Sequence, residues 1–167
     1  MKTETINPIK HLYETAFPPD ERRGFDELQK LFAEENDMHI QIEHLNGELL
    51  GFIIYWTFEQ FIYVEHFAVA EPFRGGGHGT KMFNDFLKNA RLTVVLEVEP
   101  PENPVAEKRI QFYERLGMTL WRFPYTQPPY SAEKNPVDMR IMSSGDLGDE
   151  SEFEKMKKVI FENVYFR

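Results

Sequence analysis

Hydrophobic positions along the chain change period several times, and each change marks an element. Asn7-Pro8 reads as a helix cap followed by proline in the first turn, with a helix to about Phe17 that Pro18-Pro19 stops. Leu28, Leu31 and Phe32 recur on one face of a second helix over about 25–35. At residue 38 the period falls to two. Met38, Ile40, Ile42 and the candidate His44 alternate with His39, Gln41 and Glu43, which predicts a strand with one apolar face. Asn46-Gly47 then separates this run from the apolar stretch 49–56, a hairpin signal. Residues 61–69 predict the next antiparallel strand.

Beyond a glycine-rich segment, Met82, Phe83, Phe86, Leu87 and Ala90 return to helical spacing. The run 92–98 is short and β-branched, as a buried strand requires. Ala106, Ile110, Tyr113 and Leu116 predict a further helix, closed by Gly117. Strands are expected near 118–125 and 137–142, joined by a proline-rich loop too long for a hairpin turn. Phe153, Met156, Ile160 and Val164 predict a last helix over about 150–164, able to dock on the body or to face a second subunit. No repeat and no second domain emerge, so a single domain over 1–167 is expected, as a monomer or homodimer.

Composition narrows the chemistry. The chain has 167 residues and no cysteine, which excludes disulfides, thiolate nucleophiles and zinc–thiolate sites. Its net charge of −9 argues against nonspecific nucleic-acid binding and is compatible with a cationic substrate. No apolar run approaches the roughly 20 residues of a membrane span, and the N-terminus lacks a signal pattern. A cytoplasmic protein with no membrane or nucleic-acid partner is expected. The five histidines form no convincing ligand cluster, and no metal is expected.

The strongest chemical signal lies at 67–80, where an apolar run ends at Pro72 and Arg74 is followed by four glycines within five residues. A strand, a turn of bare backbone and a helix N-terminus in that order suit a polyanion such as a pyrophosphate. A dinucleotide fingerprint starting at Gly75 fails at Thr80, and one starting at Gly77 fails at Met82. A P-loop fails because Gly79 is followed by Thr-Lys. What remains is Arg-x-x-Gly-x-Gly at Arg74, Gly77 and Gly79.

With that motif behind a strand, and Phe112-Tyr113-Glu114-Arg115-Leu116-Gly117-Met118 some 34 residues later, the chain resembles the GNAT superfamily of acyl-CoA-dependent N-acyltransferases. The resemblance implies a mixed α/β fold: a central, largely antiparallel twisted sheet of six to seven strands, four flanking helices and the last helix in addition. It implies acetyl-CoA as cosubstrate, its pyrophosphate held by Arg74, Gly75, Gly76, Gly77, His78, Gly79 and Thr80. Its pantetheine arm would bond to the main chain of Phe67, Ala68 and Val69. The family asparagine seven residues before the tyrosine is replaced by Ala106, and the nearest asparagine is Asn103.

The implied reaction is acetyl transfer to a primary amine by direct attack in a ternary complex, with a small-molecule acceptor favoured. Tyr113 matches the family tyrosine beside the sulfur, and a neutral phenol can protonate a departing thiolate. A carboxylate would take the amine proton. Glu65 is the first candidate because strict alternation puts it on the face of Phe67 and Val69, with His66 opposite as a packed core residue. Glu97 is the second, and Glu99 also competes. The acceptor would lie among Tyr13, Phe17, residues 17–23, Tyr125, Tyr130 and the proline-rich loop. The alternative is a CoA-binding regulatory or partner-binding module without transfer activity.

Overall fold

The computed structural model describes residues 5–166. Helix α1 (Lys10–Ala16) follows a tight turn at Asn7–Ile9, and α2 (Phe25–Glu34) follows at the expected place. Asn7 does not cap the first helix. It lies inside the tight turn, and its side-chain oxygen accepts a hydrogen bond at 2.7 Å from Gln29 of α2. Two antiparallel pairings then join β1 (Met38–Leu45), β2 (Glu48–Thr57) and β3 (Phe61–Val69). The β1–β2 turn has φ of 53° at Asn46 and 83° at Gly47, the two left-handed positions that Asn-Gly tolerates best.

Helix α3 (His78–Asn89) returns the chain to β4 (Thr93–Val98), which pairs parallel with β3. Helix α4 (Pro104–Arg115) leads to two short strands, β5 (Thr119–Leu120) and β6 (Tyr125–Gln127). Both pair with β7 (Val137–Ser143), ahead of helix α5 (Glu150–Ile160) and a wide helical turn at Phe161–Tyr165. The strand expected near 118–125 is therefore broken. Leu120 pairs with Met142 and Tyr125 with Met139, so five steps along this strand oppose three on β7. Two surplus residues make a bulge there.

The seven-stranded sheet runs β1-β2-β3-β4-β7-β5, with β6 also on β7, and only β3–β4 is parallel. This is the mixed, largely antiparallel architecture expected. Alternation along the strands divides the core between two faces. Phe52, Ile54, Trp56, Tyr63, Val95 and Ile141 pack under α1, α2 and α5, whereas Ile53, Val64, Val94, Leu96 and Met142 pack under α3 and α4. The last helix docks on the body of its own chain, with Phe153, Met156 and Ile160 in the first of these layers.

The site is positioned by a break in the sheet. The β3–β4 ladder runs from Phe61–Thr93 to Val64–Leu96 and stops, although β3 continues to Val69 and β4 to Val98. Beyond Val64 the β4-facing edge of β3 therefore carries main-chain groups without a strand partner. A gap opens through the middle of the sheet.

Candidate active site

Two cavities meet at that gap. One, of about 520 Å³, is lined by Gly75, Gly77, Gly79 and Thr80 together with Lys108, Arg109 and Phe112. Glycine has no side chain, so this wall is bare backbone. The amides of His78, Gly79 and Thr80 open α3, whose first helical bond runs from Lys81 N to Gly77 O, and so they have no intrahelical acceptor. Gly77 has φ of 82°, a conformation closed to most side chains. Gly79 is glycine for another reason: a Cβ there would meet Val69 Cγ2 at 3.2 Å, so its absence lets α3 close onto β3. Arg74 Nε donates to Val69 O at 2.8 Å, which ties the turn to the strand end.

The second cavity, of about 360 Å³, lies on the α1 side and is lined by Phe17, Glu21, Glu97, Glu99, Gln127 and Met139, among others. Phe67, Val69, Arg74, Arg109 and Tyr113 line both cavities, so the two communicate through the sheet. Tyr113 packs edge-on against Phe83 at 5.2 Å between centroids, and none of the described residues hydrogen-bonds its hydroxyl. Burial, only partly opposed by Arg109, pushes this phenol up to about 12. It stays protonated at neutral pH and can donate.

The two candidate bases have different surroundings. Glu65 is not on the face of Phe67. The β2–β3 register passes from Ile54–His66 to Tyr55–Val64 and skips Glu65, a bulge that turns both Glu65 and His66 toward α1 and α2. His66 packs against Tyr13 and Phe17, and its Nε2 lies 2.8 Å from Glu21 O, as a core histidine would. The Glu65 side chain is fully buried, 3.2 Å from Arg23 Nη2, and accepts from Trp56 Nε1 at 2.6 Å. Burial works against its charge, but Arg23, then His66 and the bonds from Trp56 and Tyr130, hold the carboxyl below its ordinary value.

Glu97 faces the same side of the sheet but has no cation beside it. Tyr125 donates to its Oε1 at 2.5 Å, and the Tyr165 hydroxyl lies 2.9 Å from both oxygens. Burial dominates over these donors and raises the carboxyl to about 7. Glu99 lies 3.7 Å from Arg109 Nη1. Burial and the nearby Glu99 charge raise Glu21, partly offset by Arg109.

Other expected site residues play supporting parts. Tyr13 is fully buried, and its hydroxyl accepts from Arg23 N at 3.0 Å, so it backs the cavity without lining it. Tyr130 stacks under the Arg23 guanidinium at 4.5 Å. Asn103 spends its side-chain oxygen on capping α4, accepting from Ala106 N at 2.9 Å. Trp56 and Tyr165 carry no local signal that would have marked them, and Arg23 is expected only as part of the segment 17–23, not as the partner of Glu65. They join the site only because the fold brings distant segments together. Among the described residues, no three His, Cys, Asp or Glu converge as metal ligands, and no helix is long and apolar enough to cross a membrane.

Comparison with known proteins decides the family. The profile of the Acetyltransferase (GNAT) family matches residues 6–118, which holds the gap, the glycine turn and Tyr113. The chain belongs to the GNAT family. It is 30% identical over 153 residues to a Bacillus subtilis (strain 168) protein named "Putative acetyltransferase YjbC", covering 89% of this chain and 77% of that one. A solved structure from Bacteroides thetaiotaomicron, titled "Putative acetyltransferase from GNAT family", is 34% identical with a TM-score of 0.88, covering 98% and 97% of the two chains. Arabidopsis thaliana Naa50 in complex with the bisubstrate analogue CoA-Ac-MVNAL shares the fold at 20% identity, with a TM-score of 0.63 over 87% and 95%.

GNAT proteins use acetyl-CoA, and the glycine-walled cavity fits it on its own chemistry. Free amides at a helix N-terminus and the cations Arg74, Lys108 and Arg109 suit a pyrophosphate. The partnerless edge of β3 offers main-chain donors and acceptors to an amide-bearing arm.

Proposed function

We propose that this GNAT protein acetylates a primary amine on a small, cationic molecule by direct attack within a ternary complex. The observation that carries the reading is the meeting of two unlike cavities at the sheet gap, one basic and glycine-walled, the other lined by Glu21, Glu97 and Glu99. Residues 74–80 hold the pyrophosphate, and the free edge at Phe67, Ala68 and Val69 aligns the arm. Acetyl-CoA supplies an activated thioester carbonyl to the amine. The second cavity presents that amine from the opposite side of the sheet.

Glu97 takes the amine proton. A carboxyl that titrates near neutrality is half ionised at working pH and still basic enough to accept, which is what a general base requires. Glu65 is assigned a different part, because its charge is committed to Arg23 and its carboxyl is a weaker base than usual. Main-chain amides on the β3 edge stabilise negative charge on the carbonyl oxygen. Tyr113 returns a proton to the leaving thiolate.

The test is a panel of mono-, di- and polyamines, amino sugars and short peptides with acetyl-CoA, following free-thiol release. Turnover is expected with a small cationic amine. Tight CoA binding with no release for any amine would instead support a binding module, and preference for peptides would overturn the small-molecule acceptor.

A further inference from the structure

The side chain that completes the surroundings of Glu97 comes from the far end of the described chain. Tyr165 lies in the wide turn Phe161–Tyr165, where five residues continue α5 with looser helical winding. Its hydroxyl is 3.0 Å from the Tyr63 hydroxyl on β3 and 2.9 Å from both carboxylate oxygens of Glu97 on β4. A phenol has one proton. With Glu97 ionised, Tyr165 donates to the carboxylate and accepts from Tyr63, giving a directed chain from β3 through Tyr165 to β4. The neighbouring Val164 oxygen accepts from Arg23 Nη2 at 2.6 Å, and Arg23 pairs with Glu65. The turn thus spans both sides of the place where β3 and β4 have stopped pairing.

We infer that Tyr165 is a positioning residue for the transfer reaction: it ties Glu97, the first β4 residue past the last β3 pair, to Tyr63 in the paired part of β3 and fixes the carboxylate that faces the acceptor. Glu97 pairs with Ile141 of β7 on one side, but no residue of β3 pairs with it on the other, and Tyr165 does not line either cavity, so it acts through Glu97 and not on the substrate. The groups that face Glu97 are Tyr125 from β6, Tyr165 from the turn, Tyr63 and Glu65 from β3, and, further off, Tyr130 from the loop between β6 and β7. Tyr125 and Tyr165 donate to the carboxylate and favour the ionised form, with Tyr63 acting through Tyr165, whereas Glu65 and burial oppose it. All three phenols are themselves pushed upward by burial, so they remain donors throughout the physiological range. Tyr165 is buried, flanked by Tyr130 at 4.9 Å and Phe161 at 6.2 Å, which holds the hydroxyl on station.

The inference rests on Glu97 being the base, so its test must read Glu97 directly as well as through turnover. Protein carrying carboxyl-13C glutamate is titrated by NMR, with Glu97→Gln assigning the resonance. Loss of one charge-assisted donor in Tyr165→Phe is expected to move the Glu97 midpoint up by about one pH unit. The acidic limb of kcat/KM, measured with the best amine of the panel, moves with it while the Kd for CoA is unchanged. Phe166→Leu serves as the control: it trims an exposed ring beside Tyr165 in the chain, keeps the Tyr165 hydroxyl, and is expected to leave the midpoint in place. An unmoved midpoint in Tyr165→Phe would overturn the inference. A moved midpoint with full activity in Glu97→Gln would uphold the tether but sink the assignment of Glu97 as base.

Discussion

Glu65 and Glu97 sit on adjacent strands, on the same side of one sheet, and the side chains around them give them opposite chemistry. Glu65 has a guanidinium at 3.2 Å; Glu97 has only phenols. Substitution separates the two roles. Glu65→Gln leaves Arg23 buried without its counter-charge, which is expected to cost about 3–5 kcal/mol of stability in denaturant melts. Glu97→Gln is expected to fold normally at pH 8 and to lose a factor of about 10² or more in kcat. If instead Glu65→Gln folds well and alone abolishes turnover, the assignment is reversed. For Tyr113→Phe the expected outcome is a slower chemical step with CoA affinity held, measured by single-turnover thiol release. An unchanged rate removes Tyr113 from the mechanism.

At the scale of elements, what the sequence reveals depends on how local the governing physics is. The glycine turn was legible because every requirement is met within seven residues: positive φ at Gly75 and Gly77, close approach at Gly79 and a cation at Arg74. The hairpin at Asn46-Gly47 and the limits of β1 and β3 were legible for the same reason. The face of Glu65 was not. One surplus residue in β3 inverts the alternation beyond it, and no glycine or proline marks the bulge. Tyr165 was still less accessible, since it meets Glu97 from 68 residues away and Tyr63 from 102. The turn offers a contrast that tests its role. Gly77→Ala forces a Cβ into a left-handed position and is expected to cost about 1 kcal/mol and to weaken CoA binding severalfold. Gly76→Ala, where φ is not positive and the added Cβ meets only the His78 ring at 3.4 Å, is expected to be milder on both counts. Equal loss in the two variants, measured by calorimetry with CoA, would mean that backbone shape at Gly77 is not what the site needs.

For the molecule as a whole, these buried groups make stability depend on pH in opposing senses. Glu97 has a folded-state value near 7 against an ordinary 4.5, so between those limits the folded protein binds more protons than the unfolded chain. Its contribution is complete below about 4.5 and falls away as pH rises to 7, by roughly 3 kcal/mol. His66 works the other way. Burial holds it neutral and lowers its value in the folded state, so stability declines as pH drops below the ordinary 6.5 and the unfolded chain takes up the proton. Glu65, held low by Arg23, adds stability above its ordinary 4.5 that is lost on further acidification through its folded value. The Glu97 and His66 windows overlap with opposite sign, so the wild-type curve near pH 5–7 is flatter than either group alone would make it. Comparing wild type with Glu97→Gln by urea unfolding at pH 5 and pH 8 cancels His66 and Glu65 and leaves Glu97. The wild type is expected to lose roughly 2.5 kcal/mol relative to the variant across that interval. A stability difference that does not change with pH would show that folding leaves Glu97 an ordinary carboxyl, and a base tuned to neutrality would have to be sought elsewhere in the cavity.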